Sequence, residues 1–303
     1  MFGTRVFAVV ALVLGLCAPA IAQDRQVLGW GRLASNDATG DGQDRWRTGS
    51  YTVSLLRGPE WAGRAPSAPG LLLEYRLRAE AIAPESLTSA NPADRPYVGA
   101  LSLGLHSHFA RQGWEGSVGL DVIVTGPQSG ISRVQERLHE ALGLPKPTVT
   151  ANQIRNDSHL MLSGEVGRPF PLTANATLRP FAAAQLGGES LLRVGADVTI
   201  GQFGKGGLML RDPVTGQRYR GIAGQTVPGL SLVAGADVAR VWDSVYLPKG
   251  GVALEPVRNR ARIGLHWQGE KADVFGGLTW LGPEFEGQRE GQVLGSVSFH
   301  IRF

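Results

Sequence analysis

The chain has 303 residues, with 30 Lys and Arg against 26 Asp and Glu, 42 Gly, 18 Pro and a single Cys. Charged residues make up only 18% and hydrophobic residues 43%, yet no apolar run after residue 22 is long enough to cross a bilayer as a helix. This excludes a disordered chain, a collagen, a disulfide scaffold and a polytopic helical membrane protein. The net charge of +4 is spread along the chain, which makes it weak evidence for nucleic acid and leaves anionic lipid headgroups an equally good partner.

Met1–Ala22 carries one cation, Arg5, then an apolar stretch from Val6 to Cys17, and ends in Ala20-Ile21-Ala22. Small residues at those positions mark a secretory signal peptide cut after Ala22. Cys17 lies inside the discarded segment, and in Leu14-Gly15-Leu16 the bulky Leu16 directly before it argues against a lipid anchor. From Gln23 to Phe303 the chain then reads as one domain without cysteine, held together by hydrogen-bonded strands or by a membrane.

Apolar residues alternate with polar or small ones in segment after segment, the period-2 signature of strands with two unlike faces. Strands are expected at 27–35, 47–56, 71–81, 97–109, 114–125, 159–168, 175–186, 191–201, 231–245, 257–268, 272–281 and 294–303. About twelve strands, each close to the length of a tilted transmembrane strand and joined by Gly, Pro, Asn and Asp, fit an antiparallel barrel. A lipocalin-like barrel or a sandwich also alternates. The last strand favours the membrane: Val297, Phe299, Ile301 and terminal Phe303 form one apolar face, like the C-terminal signal that the barrel assembly machinery of the outer membrane recognises. The expected fold is therefore an all-β transmembrane barrel of about twelve strands.

Between strands 5 and 6, Ile131, Val134, Leu138 and Leu142 recur at helical spacing, and Gly143 follows as a stop. Gln135 and His139, four apart, share one face of this short helix. The polar stretch Gly204 to Gly229 reads as an extracellular loop without a motif.

Three places can carry chemistry. Asn36 and Asp37, in a Gly- and Asp-rich connection, can offer hard oxygen ligands to a cation such as calcium, although such loops more often make Asx turns. Asp44-Arg45-Trp46-Arg47-Thr48-Gly49 opens strand 2, and His139 follows Gln135 on the helix. Odd-numbered strands all end on one side, so the three places share one mouth of the barrel. A neutral imidazole beside a cation site is what water-mediated ester hydrolysis requires. His106 and His108 on strand 4 lack a third ligand for zinc, and no serine-hydrolase elbow is present.

Asn36-Asp37, Asp44-Arg45 with Thr48-Gly49, Asp94-Arg95-Pro96-Tyr97-Val98-Gly99, Gly126-Pro127 and Gln135-Glu136-Arg137-Leu138-His139 follow one another in register. In order and spacing they resemble the outer-membrane lipid A 3'-O-deacylase (LpxR-like) family, over residues 27 to about 165. The resemblance implies a twelve-stranded barrel in the bacterial outer membrane that hydrolyses, with calcium, the 3'-linked acyl or acyloxyacyl ester of lipid A in lipopolysaccharide. It implies His139 as general base, Asn36 and Asp37 at the calcium and oxyanion site, and Thr48 lining it; Gln135 is expected to orient the imidazole or a ligand. The chain departs from the family in having no Lys between strands 3 and 4, so either Arg95 or Arg47 replaces it, or the substrate differs, or activity is reduced. Another outer-membrane lipid esterase of phospholipase type, or a non-catalytic barrel or pore, is the competing reading.

Overall fold

A computed structural model of the chain describes residues 25–301. The expected signal peptide, Met1–Ala22, and terminal Phe303 lie outside the described residues. The elements are β1 (Gln26–Asn36), β2 (Trp46–Gly58), β3 (Leu72–Ala83), β4 (Val98–Arg111), β5 (Trp114–Thr125), α1 (Ile131–Leu142), β6 (Asp157–Gly167), β7 (Phe170–Thr173) and β8 (Ala176–Gly187). Then come β9 (Glu189–Ile200), β10 (Leu208–Arg211), β11 (Arg218–Ile222), β12 (Gly229–Ser244), β13 (Val257–Gln268), β14 (Ala272–Leu281) and β15 (Gln292–Ile301).

Twelve of these strands pair in the order β6-β5-β4-β3-β2-β1-β15-β14-β13-β12-β9-β8, and β6 pairs with β8 to close an antiparallel barrel. Each expected strand corresponds to one of them. The reason is visible in β13, where Val257, Ala261, Ile263, Leu265 and Trp267 are exposed while Arg258, Arg260, Arg262, His266 and Gln268 are buried. Polar side chains point inward and apolar ones outward, the inverse of a soluble barrel. Exposed tryptophans flank the wall at both ends, Trp114 and Trp267 near one rim and Trp242 and Trp280 near the other.

The connections after β1, β3 and β5, residues 37–45, 84–97 and 126–156, share one rim; β1 begins and β15 ends at the opposite one, from which the connections 59–71 and 201–228 also leave. The stretch 204–229 differs from its expectation. It follows β9, the eighth barrel strand, so it leaves from the rim of the termini and folds back into the lumen as the hairpin β10–β11. There Leu210, Tyr219 and Ile222 pack with the inward residues Leu33, Leu56, Leu72 and Phe275. Two glycines of β1 admit the hairpin: a Cβ at Gly29 would lie 2.3 Å from the Gly221 carbonyl oxygen, and one at Gly31 would lie 2.9 Å from the Tyr219 ring. The lumen also holds ion pairs, including Arg211 with Glu165 and Asp197, and Arg262 with Asp197 and Asp237.

Candidate active site

At the rim that bears α1 a row of residues crosses four strands: Asn36 pairs with Gly49, Gly49 with Ala81, and Ala81 with Gly99. Gly99 has the same parity as Leu101, Leu103 and Leu105, so this row lies on the outside of the wall. A Cβ at Gly99 would come 2.8 Å from Ser129 Oγ and 3.0 Å from Ile131 Cβ. Glycine therefore lets the first turn of α1 rest directly on the outer face. The helix ends, as expected, at Gly143, whose φ of +67° is left-handed. Its buried residues are Ser132, Gln135 and His139.

These side chains meet the β1–β2 connection. His139 Nδ1 lies 2.8 Å from the Pro145 carbonyl oxygen, to which it donates, leaving Nε2 as the lone-pair nitrogen. Nε2 stands 2.9 Å from Asp44 Oδ2. Asp44 Oδ1 also accepts the Thr48 hydroxyl in a short hydrogen bond and the Gln135 amide at 3.4 Å. Gln135 Oε1 in turn accepts the Tyr97 hydroxyl at 2.7 Å. Burial, with the Asp44 and Glu136 carboxylates nearby, raises the Tyr97 phenol above its usual range and keeps it a donor.

Asp37 completes the cluster. It is 1% exposed, its Oδ2 accepts the Arg45 backbone N–H at 2.9 Å, and its Oδ1 lies 3.3 Å from the Thr48 hydroxyl. It forms no ion pair among the described residues. Burial, reinforced by the Asp44 and Asp41 carboxylates, pushes the Asp37 carboxyl up to about 8. Asn36 holds the turn: its Oδ1 accepts the Ala38 N–H at 2.8 Å and its Nδ2 donates to the Thr48 carbonyl at 2.9 Å, the Asx arrangement.

All five expected residues, Asn36, Asp37, Thr48, Gln135 and His139, thus gather in one place. Sequence reading named Asp44 and Tyr97 only within motifs and gave no role to Asp44, the hub that three of these side chains touch, or to Tyr97 behind Gln135. Asp44 stands four residues before Thr48 across a bulge between Trp46 and Gly49, a spacing that carries no signal by itself. No three His, Cys, Asp or Glu side chains among the described residues converge as a metal-binding group. The oxygens of Asp37, Asp44 and Thr48 nevertheless suit a hard cation, and a buried carboxylate without a cationic partner is the feature such an ion would compensate.

One expectation is corrected. Arg47 and Arg95 do not reach the site in place of the missing Lys. Arg47 pairs with Glu80, Glu189 and Glu284 inside the lumen, and Arg95 Nη1 lies 2.6 Å from Glu284 Oε2. Arg258 joins both Glu189 and Glu284. This network is structural, because guanidiniums buried this deeply need carboxylate partners. His106 and His108 are also separate, paired with Asp121 and Glu74 respectively.

Residues 6–303 match the family model described as outer membrane protein LpxR. No curated protein matches the sequence. Among solved structures, LpxR from Salmonella typhimurium is similar with a TM-score of 0.74 at 17% identity, over 91% of this chain and 100% of that one. The β domain of the Bordetella autotransporter BrkA gives 0.49 at 10% identity, over 91% of this chain and 99% of that one. The NalP translocator domain from Neisseria meningitidis gives 0.43 at 14%, over 99% and 98%. The first shows the fold. No helix among the described residues is long and apolar enough to cross a membrane; the strands do so instead. The chain belongs to the outer membrane protein LpxR family.

Proposed function

We propose that the protein is an outer-membrane lipid A deacylase that hydrolyses the 3'-linked acyl or acyloxyacyl ester of lipopolysaccharide with calcium and a histidine base. The observation that carries this reading is the convergence of His139 Nε2, Asp44, Thr48 and Asp37 on the outer face of the wall, beneath α1. With the start of β1 and the end of β15 on the periplasmic side, the rim that bears α1 lies at the outer leaflet. An acyl ester there reaches the cluster without entering the lumen.

His139 is the group to take a proton from water. Its Nδ1–H is fixed on the Pro145 carbonyl, so the proton arrives at Nε2. Asp37 and Asp44 are the carboxylates to hold calcium, and Thr48 links them through its hydroxyl. When bound, calcium supplies positive charge against the oxyanion that develops on the ester carbonyl. Asn36 keeps the Asp37 turn closed on Thr48. Tyr97, through Gln135, steadies Asp44 and so the imidazole.

The pore alternative lacks support, since the lumen carries the β10–β11 hairpin and the Arg47–Glu284 network. The phospholipase alternative keeps the same machinery with another headgroup, and the burial of Arg47 and Arg95 favours it only in leaving the family Lys without a substitute. The test is His139→Ala with lipid A as substrate. Loss of a positioned base lowers the rate by about 10²–10⁴-fold while heat-modifiable migration still shows a folded barrel. Full activity in this folded variant refutes the assignment.

A further inference from the structure

The helix α1 is turned inside out for a helix facing water. Its polar residues Ser132, Gln135 and His139 are buried, while Val134, Leu138 and Leu142, spaced four apart, are exposed, as is Leu144 just beyond the helix. Val134 is 62% and Leu142 63% exposed. A third face carries Arg133 and Arg137, also four apart and exposed, and neither forms an ion pair with the described residues.

The setting of the helix identifies what covers the apolar stripe. Its first turn rests on Gly99, outside the wall, and the same outward row of β4 continues through Leu101, Leu103 and Leu105. On β5 the paired outward positions are Val124, Val122 and Leu120. That band is the lipid-facing surface of an outer-membrane barrel, and the stripe of α1 continues it at the rim.

We propose that α1 is an interfacial anchor whose Val134, Leu138, Leu142 and Leu144 enter the hydrocarbon of the outer leaflet, with Arg133 and Arg137 level with its phosphate-bearing headgroups. An interfacial helix sinks its apolar face about 5–10 Å into the boundary between headgroups and acyl chains. His139, on the neighbouring face, is then held at the depth where acyl esters lie. The cationic face matches the anionic headgroup layer, and the long arginine stems can run along the apolar surface below it. The inference rests on the outer-membrane location and not on the reaction.

The chain from Gln23 onward has no cysteine, so Leu138→Cys, Leu142→Cys and Glu140→Cys each create one labelling position. Each variant is refolded into vesicles of phosphatidylcholine with phosphatidylglycerol, checked by heat-modifiable migration, and labelled with an environment-sensitive fluorophore. Quenching by acyl-chain-brominated lipid at 138 and 142 is expected to exceed that at 140 by at least about threefold, with aqueous iodide giving the reverse order. Equal access of iodide to all three positions overturns the proposal. So does shielding of 138 and 142 from both quenchers, which means that a second copy or another protein segment covers the stripe. Replacing Arg133→Gln and Arg137→Gln together in the Leu138→Cys background should lower bromine quenching in the anionic vesicles and leave it unchanged in phosphatidylcholine alone. An equal response in both vesicles overturns the headgroup assignment. Because hydrolysis is not read, a failure of the deacylase reading leaves these results standing.

Discussion

Calcium binding to the cluster should release about one proton, and that proton should come from Asp37. In the cation-free protein the Asp37 carboxyl is raised from 3.8 to about 8, first by burial and then by the Asp44 and Asp41 carboxylates. At about 1.4 kcal/mol per pH unit, ionising it in the folded protein without a cation costs about 6 kcal/mol more than in the unfolded chain. The folded pKa exceeds the unfolded one, so the stability contributed by the bound proton is fully present below pH 3.8 and is lost as pH rises through about 8. A bound divalent cation displaces that proton. Its apparent affinity should therefore rise about tenfold per pH unit between pH 6 and pH 8 and level off above about pH 9. Titration calorimetry in two buffers of different ionisation enthalpy, at pH 6.5 and pH 9, counts the proton directly: about one at the lower pH and about none at the higher. Asp37→Asn should remove both the release and most of the affinity. A pH-independent calcium affinity in the wild type, or an unchanged proton count in Asp37→Asn, refutes the reasoning.

Thr48→Val removes the hydroxyl shared by two carboxylates while keeping the side-chain volume, so calcium should bind about tenfold more weakly, as measured by the same titration. Tyr97→Phe leaves Gln135 Oε1 without its donor and should lower kcat with little change in KM, and a shifted pH–rate profile would separate this positioning role from general destabilisation. Glu284→Ala strips Arg47, Arg95 and Arg258 of a common partner and should destabilise the barrel by about 3–5 kcal/mol, read as a lower heat-modification temperature.

The barrel was legible because lipid outside and polar side chains inside impose alternation on every spanning strand, as in β13. The inserted hairpin was not. Both faces of β10 and β11 lie inside the lumen, where Arg218 and Arg220 alternate with Tyr219 as a surface loop might, and no lipid face marks the segment as structured. Only its place after an even-numbered barrel strand betrays the rim it starts from. For α1 the helical period, its stop at Gly143 and the shared face of Gln135 and His139 were readable, but spacing alone does not say which face is covered. Asn36, Asp37, Thr48 and His139 were recognisable as a set through family resemblance. Asp44, which joins them, depends on a bulge that turns Arg47 into the lumen and leaves Thr48 at the cluster, and a bulge has no sequence signature here.

The account is tested most directly by incubating the refolded, purified protein with hexa-acylated lipid A, in calcium and in chelator, and reading the products by mass spectrometry. It predicts loss of the 3'-linked chain in calcium and intact lipid in chelator. Intact lipid in calcium, from protein whose gel migration shows a folded barrel, would contradict it.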